Sequence, residues 1–244
     1  MNNKPDIEAS GVALWRRVAD AIEHGIADGR YAAGARLPSE TEIAETFRVN
    51  RHTVRRALAA LAERGLVRAE RGSGTYVEAP RIAYPLRSRT RFSENIGAGG
   101  REARAQLISH ALEDADRTLA KRLGLKTGAP LVRLETLRFA DRTPISTATT
   151  WLPAERFPDA GRVYERQCSM TRTLAHYGIK DYRRAETRLT AAIVEPADAA
   201  RLDLALGRPI LLTESTDTDL SGRPLLTSRT RFAAERIQFV VENQ

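Results

Sequence analysis

The chain has 244 residues, 42% hydrophobic and 29% charged, with 39 basic against 31 acidic side chains and a formal net charge of +8. That composition suits a globular protein of one large or two modest domains. A single cysteine, Cys168, excludes a disulfide framework and any cysteine-based zinc site. No apolar run nears the ~20 residues of a membrane span and the N-terminus lacks a signal peptide's apolar stretch, so a cytoplasmic protein without membrane contact is expected.

Leu14, Val18, Ile22 and Ile26 recur every fourth residue and predict a first helix that Gly29 can end. In Leu37-Pro38-Ser39-Glu40-Thr41-Glu42, Ser39 and Glu42 have the spacing of a reciprocal capping box. The short helix it opens is expected to bury Ile43 and Phe47. Asn50 is a good N-cap for a third helix, with Val54, Leu58 and Leu61 on one face and Arg51, His52, Arg55 and Arg56 on another. Gly65 can close it. Two short strands, 66–70 and 75–77, then flank the hairpin tip Arg71-Gly72-Ser73-Gly74.

A basic cluster alone is most often a solvated face, so the order of elements has to decide. Cap, turn, arginine-bearing helix and glycine hairpin in succession describe a winged helix-turn-helix, whose third helix fits the major groove. Arg51 and Arg55 suit bidentate contact with guanine, and His52 and Thr53 suit a base or a phosphate. Ser39, with the amides of its helix, suits a phosphate. Gly72 and Gly74 allow the hairpin to approach a minor groove with Arg71 as its charged reader, while Arg68 suits phosphates at large. Thr41, Arg56 and Ser73 complete the expected DNA-facing set. Leu37–Glu40, Val49–Ala57, Leu61 and Arg71–Val77 together resemble the winged helix-turn-helix of GntR-type bacterial transcription regulators, over roughly residues 11–77. The resemblance implies that Arg51 and Arg55 read bases and that Gly72, beside Arg71, enters the minor groove.

Glu78 to Ser88, with Pro80 and Pro85, reads as a linker, which puts the expected boundaries at 11–78, 79–88 and 89–242. Beyond it the chain repeats itself at an offset near 80 residues. Leu112–Asp116 is echoed by Val194–Asp198, Gly128–Leu131 by Gly207–Ile210, Arg142–Pro144 by Gly222–Pro224, and Ala154–Phe157 by Ala234–Ile237. Each copy reads strand, short helix, hairpin, with helices near 116–123 and 197–206. Such halves are expected to pair into one antiparallel sheet with helices on one face and pseudo-twofold symmetry.

This order of elements resembles the effector-binding domain of the HutC subfamily of GntR regulators, which implies an α+β protein whose C-terminal sheet is like that of chorismate lyase. Asn50–Thr53, Arg55–Ala57, Tyr84–Leu86 and Arg91–Asn95 look most like regulators of phosphonate metabolism. The acids and tyrosine that sugar-phosphate sensors of the subfamily carry correspond here to Ala148, Leu226 and Phe232. Ser93 and Arg138 match phosphate-binding positions of those sensors; with Arg91, Thr149, Arg229 and Phe232 they form the expected effector set. The bland alternative pairs these arginines with Glu135, Glu186 or Glu214 across the sheet. His24, His110 and His176 stand alone and are read as structural.

No nucleophile elbow, phosphate loop, paired-carboxylate motif or metal spacing speaks for an enzyme, and no cofactor motif is present. The expectation is a homodimeric repressor of phosphonate genes on an inverted-repeat operator, controlled by a small anion such as a phosphonate or phosphate ester. The alternative is a HutC-type regulator of another catabolic pathway with a different effector.

Overall fold

The computed structural model describes residues 7–70, 72–78, 81–89 and 91–241, with side chains from residue 14 onward. The chain divides into two compact units, Met1–Pro80 and Arg81–Gln244.

The first unit comprises α1 (Ile7–Ala27), α2 (Glu40–Phe47), α3 (Arg51–Glu63) and the hairpin β1 (Val67–Glu70) and β2 (Gly74–Val77). The four-residue stripe on α1 delivers Val18 and Ile22 to a core with Leu37, Ile43, Val54, Leu58 and Leu61, while Phe47 packs at its margin. The capping box at α2 is complete: Ser39 N donates to Glu42 Oε2 at 2.7 Å, and Glu42 N donates to Ser39 Oγ at 3.3 Å. Hydrogen bonding of the carboxylate to the Ser39 side chain and backbone holds Glu42 below its usual pKa. Arg48 closes α2 in the left-handed region, and Asn50 Oδ1 accepts from Thr53 N at 2.8 Å to open α3.

The second unit contains β3 (Ile82–Pro85), α4 (Phe92–Ala98), β4 (Ala103–Asp114), α5 (Arg117–Leu123), β5 (Pro130–Ala140) and β6 (Thr143–Pro153). It continues with α6 (Ala160–Gln167), α7 (Met170–His176), β7 (Arg183–Ile193), α8 (Pro196–Leu202), β8 (Pro209–Thr218), β9 (Pro224–Ala233) and β10 (Ile237–Val240). Six strands form one antiparallel sheet in the order β4-β5-β6-β9-β8-β7, so the two halves meet at β6 and β9. Equivalent turns recur: Ala115 N bonds Ala129 O at 2.8 Å, and Val194 N bonds Arg208 O at 2.9 Å.

Three expectations need correction. Residues 82–85 are not linker: β3 pairs in parallel with β10, and Ile82 and Tyr84 are buried with Phe232 and Ile237. Two prolines gave the stretch its linker look, but its partner strand lies some 150 residues away, beyond any local pattern. The duplicated helices do share a face, with α5 across β9 and α8 across β6, yet α6 packs on β4 and β5 from the other side. Finally, α8 ends at Leu202 rather than near 206, because Asp203 turns into the left-handed region. No helix among the described residues is long and apolar enough to cross a membrane.

Candidate DNA-binding surface and effector cavity

In the first unit, Arg51 and Arg55 emerge from the exposed side of the first turns of α3 and converge on one carboxylate. Arg55 Nε donates to Glu40 Oε2 at 2.8 Å, and Arg51 Nη2 stands 3.4 Å from the same oxygen. These three side chains, with Ser39, Thr41 and the hairpin glycines Gly72 and Gly74, line a cleft of about 370 Å³. Gly72 and Gly74 both adopt positive φ, and a Cβ on Gly74 would strike the Arg36 side chain at 2.6 Å.

The remaining residues of the expected set divide. His52 is exposed on α3. Thr53 Oγ1 donates to Asn50 Oδ1 at 2.9 Å, so its hydroxyl reinforces the cap. The Arg56 guanidinium lies 5.1 Å from the centre of the Trp15 ring, toward α1 and away from Arg51 and Arg55, because its position on the helix is rotated from theirs. Ser73 Oγ lies 2.6 Å from Tyr76 Oη, within the hairpin. Arg68, expected to meet phosphates, is half-buried between Glu70 and Glu78 and over the Tyr76 ring. Arg71 lies outside the described residues. Glu40 is not in the expected set, because it lies at the start of α2, 11 and 15 residues from its partners, with no local sign of the contact.

In the second unit, a cavity of about 270 Å³ opens between the sheet, α4, and the α6–α7 segment. Four of the six expected effector residues reach it: Arg91, Ser93, Arg138 and Phe232. Thr149 and Arg229 do not. Strand alternation explains this, since Thr150 of β6 and Leu226, Ser228, Thr230 and Phe232 of β9 line the cavity while their odd-numbered neighbours face the reverse side. There Thr149 Oγ1 donates to Glu135 Oε2 at 3.2 Å and accepts from Arg231 Nη1 at 2.8 Å. Arg229 is exposed and acts on Glu214, whose carboxyl is held below its usual pKa chiefly by the Arg122 hydrogen bond at 2.8 Å. Arg229 thus stands opposite Glu214 across β8 and β9, whereas Arg138 reaches the cavity.

Arg138 extends over the Phe92 ring at 5.5 Å and forms no ion pair with a carboxylate among the described residues. Arg91 is more constrained: Nη2 donates to Asp181 Oδ1 at 2.8 Å and Nη1 to Glu94 Oε1 at 3.2 Å. Its buried Nε has no acceptor among the described groups. The lining also holds an aromatic cluster, with Tyr84, Phe232 and Phe239 at mutual centroid distances of 5.0–5.8 Å. Burial raises the phenol pKa of Tyr84, Tyr164 and Tyr182, so all three remain neutral hydrogen-bonding groups at pH 7.

An unexpected ion pair completes the lining. Arg184 Nε donates to Asp217 Oδ1 at 2.6 Å, with Asp217 buried. Burial opposes the Arg184 charge, but Asp217 more than offsets it, and the Arg184 pKa stands above its usual value. The site thus does contain an acid, already engaged by its own arginine. The internal repeat carried the signal for it. Arg138 and Asp217 hold equivalent places, each just before the register shift near the end of β5 or β8, and Ala105 and Arg184 are their respective cross-strand partners. Of the lone histidines, His110 packs against buried Gly161 of α6, where any side chain would collide, and His24 Nδ1 lies 3.2 Å from Asp20 O on its own helix.

The two units correspond to two known families. Residues 14–77 match bacterial regulatory proteins of the gntR family, and residues 98–238 match the UTRA domain. The uncharacterized HTH-type transcriptional regulator RB1450 of Rhizobium meliloti is 45% identical over 233 residues, covering 95% of this chain and 96% of its own. The HTH-type transcriptional repressor PhnF of Mycolicibacterium smegmatis is 32% identical over 206 residues, covering 84% and 83%. The crystal structure of PhnF from Mycobacterium smegmatis matches with a TM-score of 0.64 at 29% identity, over 93% of this chain and 99% of that one. With both units accounted for in order, the chain belongs to the GntR family of bacterial transcription regulators, a helix-turn-helix DNA-binding unit followed by an effector-binding UTRA domain.

Proposed function

We propose that this regulator is a repressor that binds an inverted-repeat operator as a homodimer and releases it when a phosphonate or small phosphate ester fills the UTRA cavity. The observation that carries the ligand class is Arg138, a cavity arginine without a carboxylate partner among the described residues, in a lining that also holds Arg91, with its unpaired Nε, and the aromatic rings of Tyr84, Phe232 and Phe239. A dianionic group accepts charge-assisted hydrogen bonds from both arginines, and its organic substituent meets Tyr84, Leu226 and Phe232. Among the described residues the one carboxylate in the lining is Asp217, which is occupied by Arg184 and so is poorly placed to bind sugar hydroxyls. Resemblance to phosphonate-metabolism regulators and relatedness to a repressor named PhnF support the same reading. Dimerisation follows from two recognition helices facing two half-sites about 34–36 Å apart.

The ligand must favour the DNA-released state, because equal affinity for both states shifts nothing. Electrophoretic mobility shift on DNA from the gene's own promoter tests this, with methylphosphonate, 2-aminoethylphosphonate and glucosamine 6-phosphate as additions. Release by a phosphonate is expected. Release by the sugar phosphate alone would replace the phosphonate assignment with a different catabolic effector.

A further inference from the structure

Glu40 is the first residue of α2, yet its carboxylate ends among the arginines of α3. The Arg51 and Arg55 side chains are 58% and 57% exposed, and Glu40 is 31% exposed. Pairs this accessible contribute little to folding, so stability gives a weak reason for an acid at the centre of a DNA-facing surface. Electrostatics gives a reason against it, since every phosphate brought to this cleft meets a negative charge and nonspecific affinity falls.

The geometry of the contact supplies the missing reason. Glu40 takes the Nε of Arg55, at 2.8 Å, and leaves both Nη groups of the fork unengaged by it. Bidentate reading of guanine O6 and N7 requires two parallel donors on a guanidinium whose direction is set beforehand. A long arginine side chain tethered only at its Cα spends most of its time in other rotamers, and one anchored at Nε does not. We propose that Glu40 is a positioning residue for base recognition: it holds the Arg55 fork toward a guanine edge, and its charge lowers affinity for DNA that lacks the matching base. The inference rests on the operator-binding function proposed above, with Arg55 reading a base as the family resemblance implies.

The experiment uses the full chain. Duplexes are selected from a random-sequence pool with the wild-type protein, and affinities are then measured by fluorescence anisotropy for the selected site, for its single-base variants and for a scrambled duplex. Glu40→Ala removes both acceptor and charge, and is expected to bind scrambled DNA about 2–5-fold tighter while its preference for guanine at one position falls about tenfold. Glu40→Gln keeps an acceptor oxygen without the charge. It should show the same gain on scrambled DNA and retain most of the base preference. In an Arg55→Ala background, Glu40→Ala should still tighten scrambled DNA but alter base preference no further. A merely structural role for Glu40, at the start of α2, would instead weaken every duplex together and lower the urea midpoint. That outcome overturns the inference, as does an intact guanine preference in Glu40→Ala when Arg55→Ala erases it. Intact preference in Arg55→Ala itself overturns the docking of α3, and this inference with it.

Discussion

Removing the Arg138 side chain should separate ligand binding from folding more cleanly than any other change in the cavity. Its guanidinium rests over Phe92 at 5.5 Å and balances no carboxylate among the described residues, so Arg138→Ala strands no partner charge. A two-donor contact to a phosphonate oxygen pair contributes about 3 kcal/mol, so the substitution should weaken binding roughly a hundredfold in Kd. Arg91→Ala should weaken it less, by about tenfold, because two of its nitrogens already serve Asp181 and Glu94 and only Nε is unengaged. It should also lower the thermal midpoint, since the half-buried Asp181 loses one of its two arginine partners. Thr149→Ala and Arg229→Ala, on the reverse face of the sheet, should stay within about twofold of wild type, as distant sites act independently. Isothermal titration calorimetry of the full chain with methylphosphonate and inorganic phosphate measures all four. An Arg229→Ala loss as large as that of Arg138→Ala would refute the assignment of faces, and an unchanged Arg138→Ala would refute the ligand contact.

How much of this was legible in the sequence depends on the range of the interactions involved. Helix starts and stops are local events, and Ser39, Asn50, Asp116 and Gly65 act at the positions where their side chains or backbone freedom are needed. The repeat was legible too, because two copies of a strand–helix–hairpin unit leave the same turn residues at the same spacing, as at Gly128 and Gly207. Long-range pairing was not. Ile82-Ala83-Tyr84 becomes a strand only because Ile237-Gln238-Phe239 arrives beside it. The choice of face was half legible: period-two alternation says that Thr149 and Thr150 point apart, but which one meets the cavity depends on the elements that cover the sheet. Register shifts at Leu107–Ser109, Arg138–Phe139 and Arg184–Glu186 break the alternation within strands, so no count from one known position carries safely along them. The Glu40 contact was the least legible, since it joins residues 11 and 15 apart on two helices through the ends of long side chains.

Two further predictions follow from single residues. Ser39→Ala removes the side-chain half of the capping box on an eight-residue helix that carries Ile43 into the core, and should cost about 1 kcal/mol in urea unfolding with Ser39→Asp restoring it. An unchanged midpoint in Ser39→Ala would mean that packing alone holds α2. The β8–β9 turn is organised by Asp219, whose Oδ1 accepts from Ser221 Oγ at 2.6 Å, Ser221 N at 3.1 Å and Arg223 N at 3.0 Å, while Oδ2 accepts from Arg156 at 3.0 Å. The Ser221 hydroxyl is the largest contributor, and together these bonds bring the Asp219 pKa down from 3.8 to about 2. A carboxylate with a depressed folded-state pKa stabilises the fold above its unfolded value, and that contribution fades as pH falls from about 4 toward 2. Asp219→Asn keeps the shape but not the charge, so its stability deficit against wild type should be full at pH 5.5 and shrink by pH 3. Urea midpoints of the two proteins at both pH values test this, and a deficit of the same size at both would show that hydrogen-bond geometry, rather than the ionised carboxylate, holds the turn.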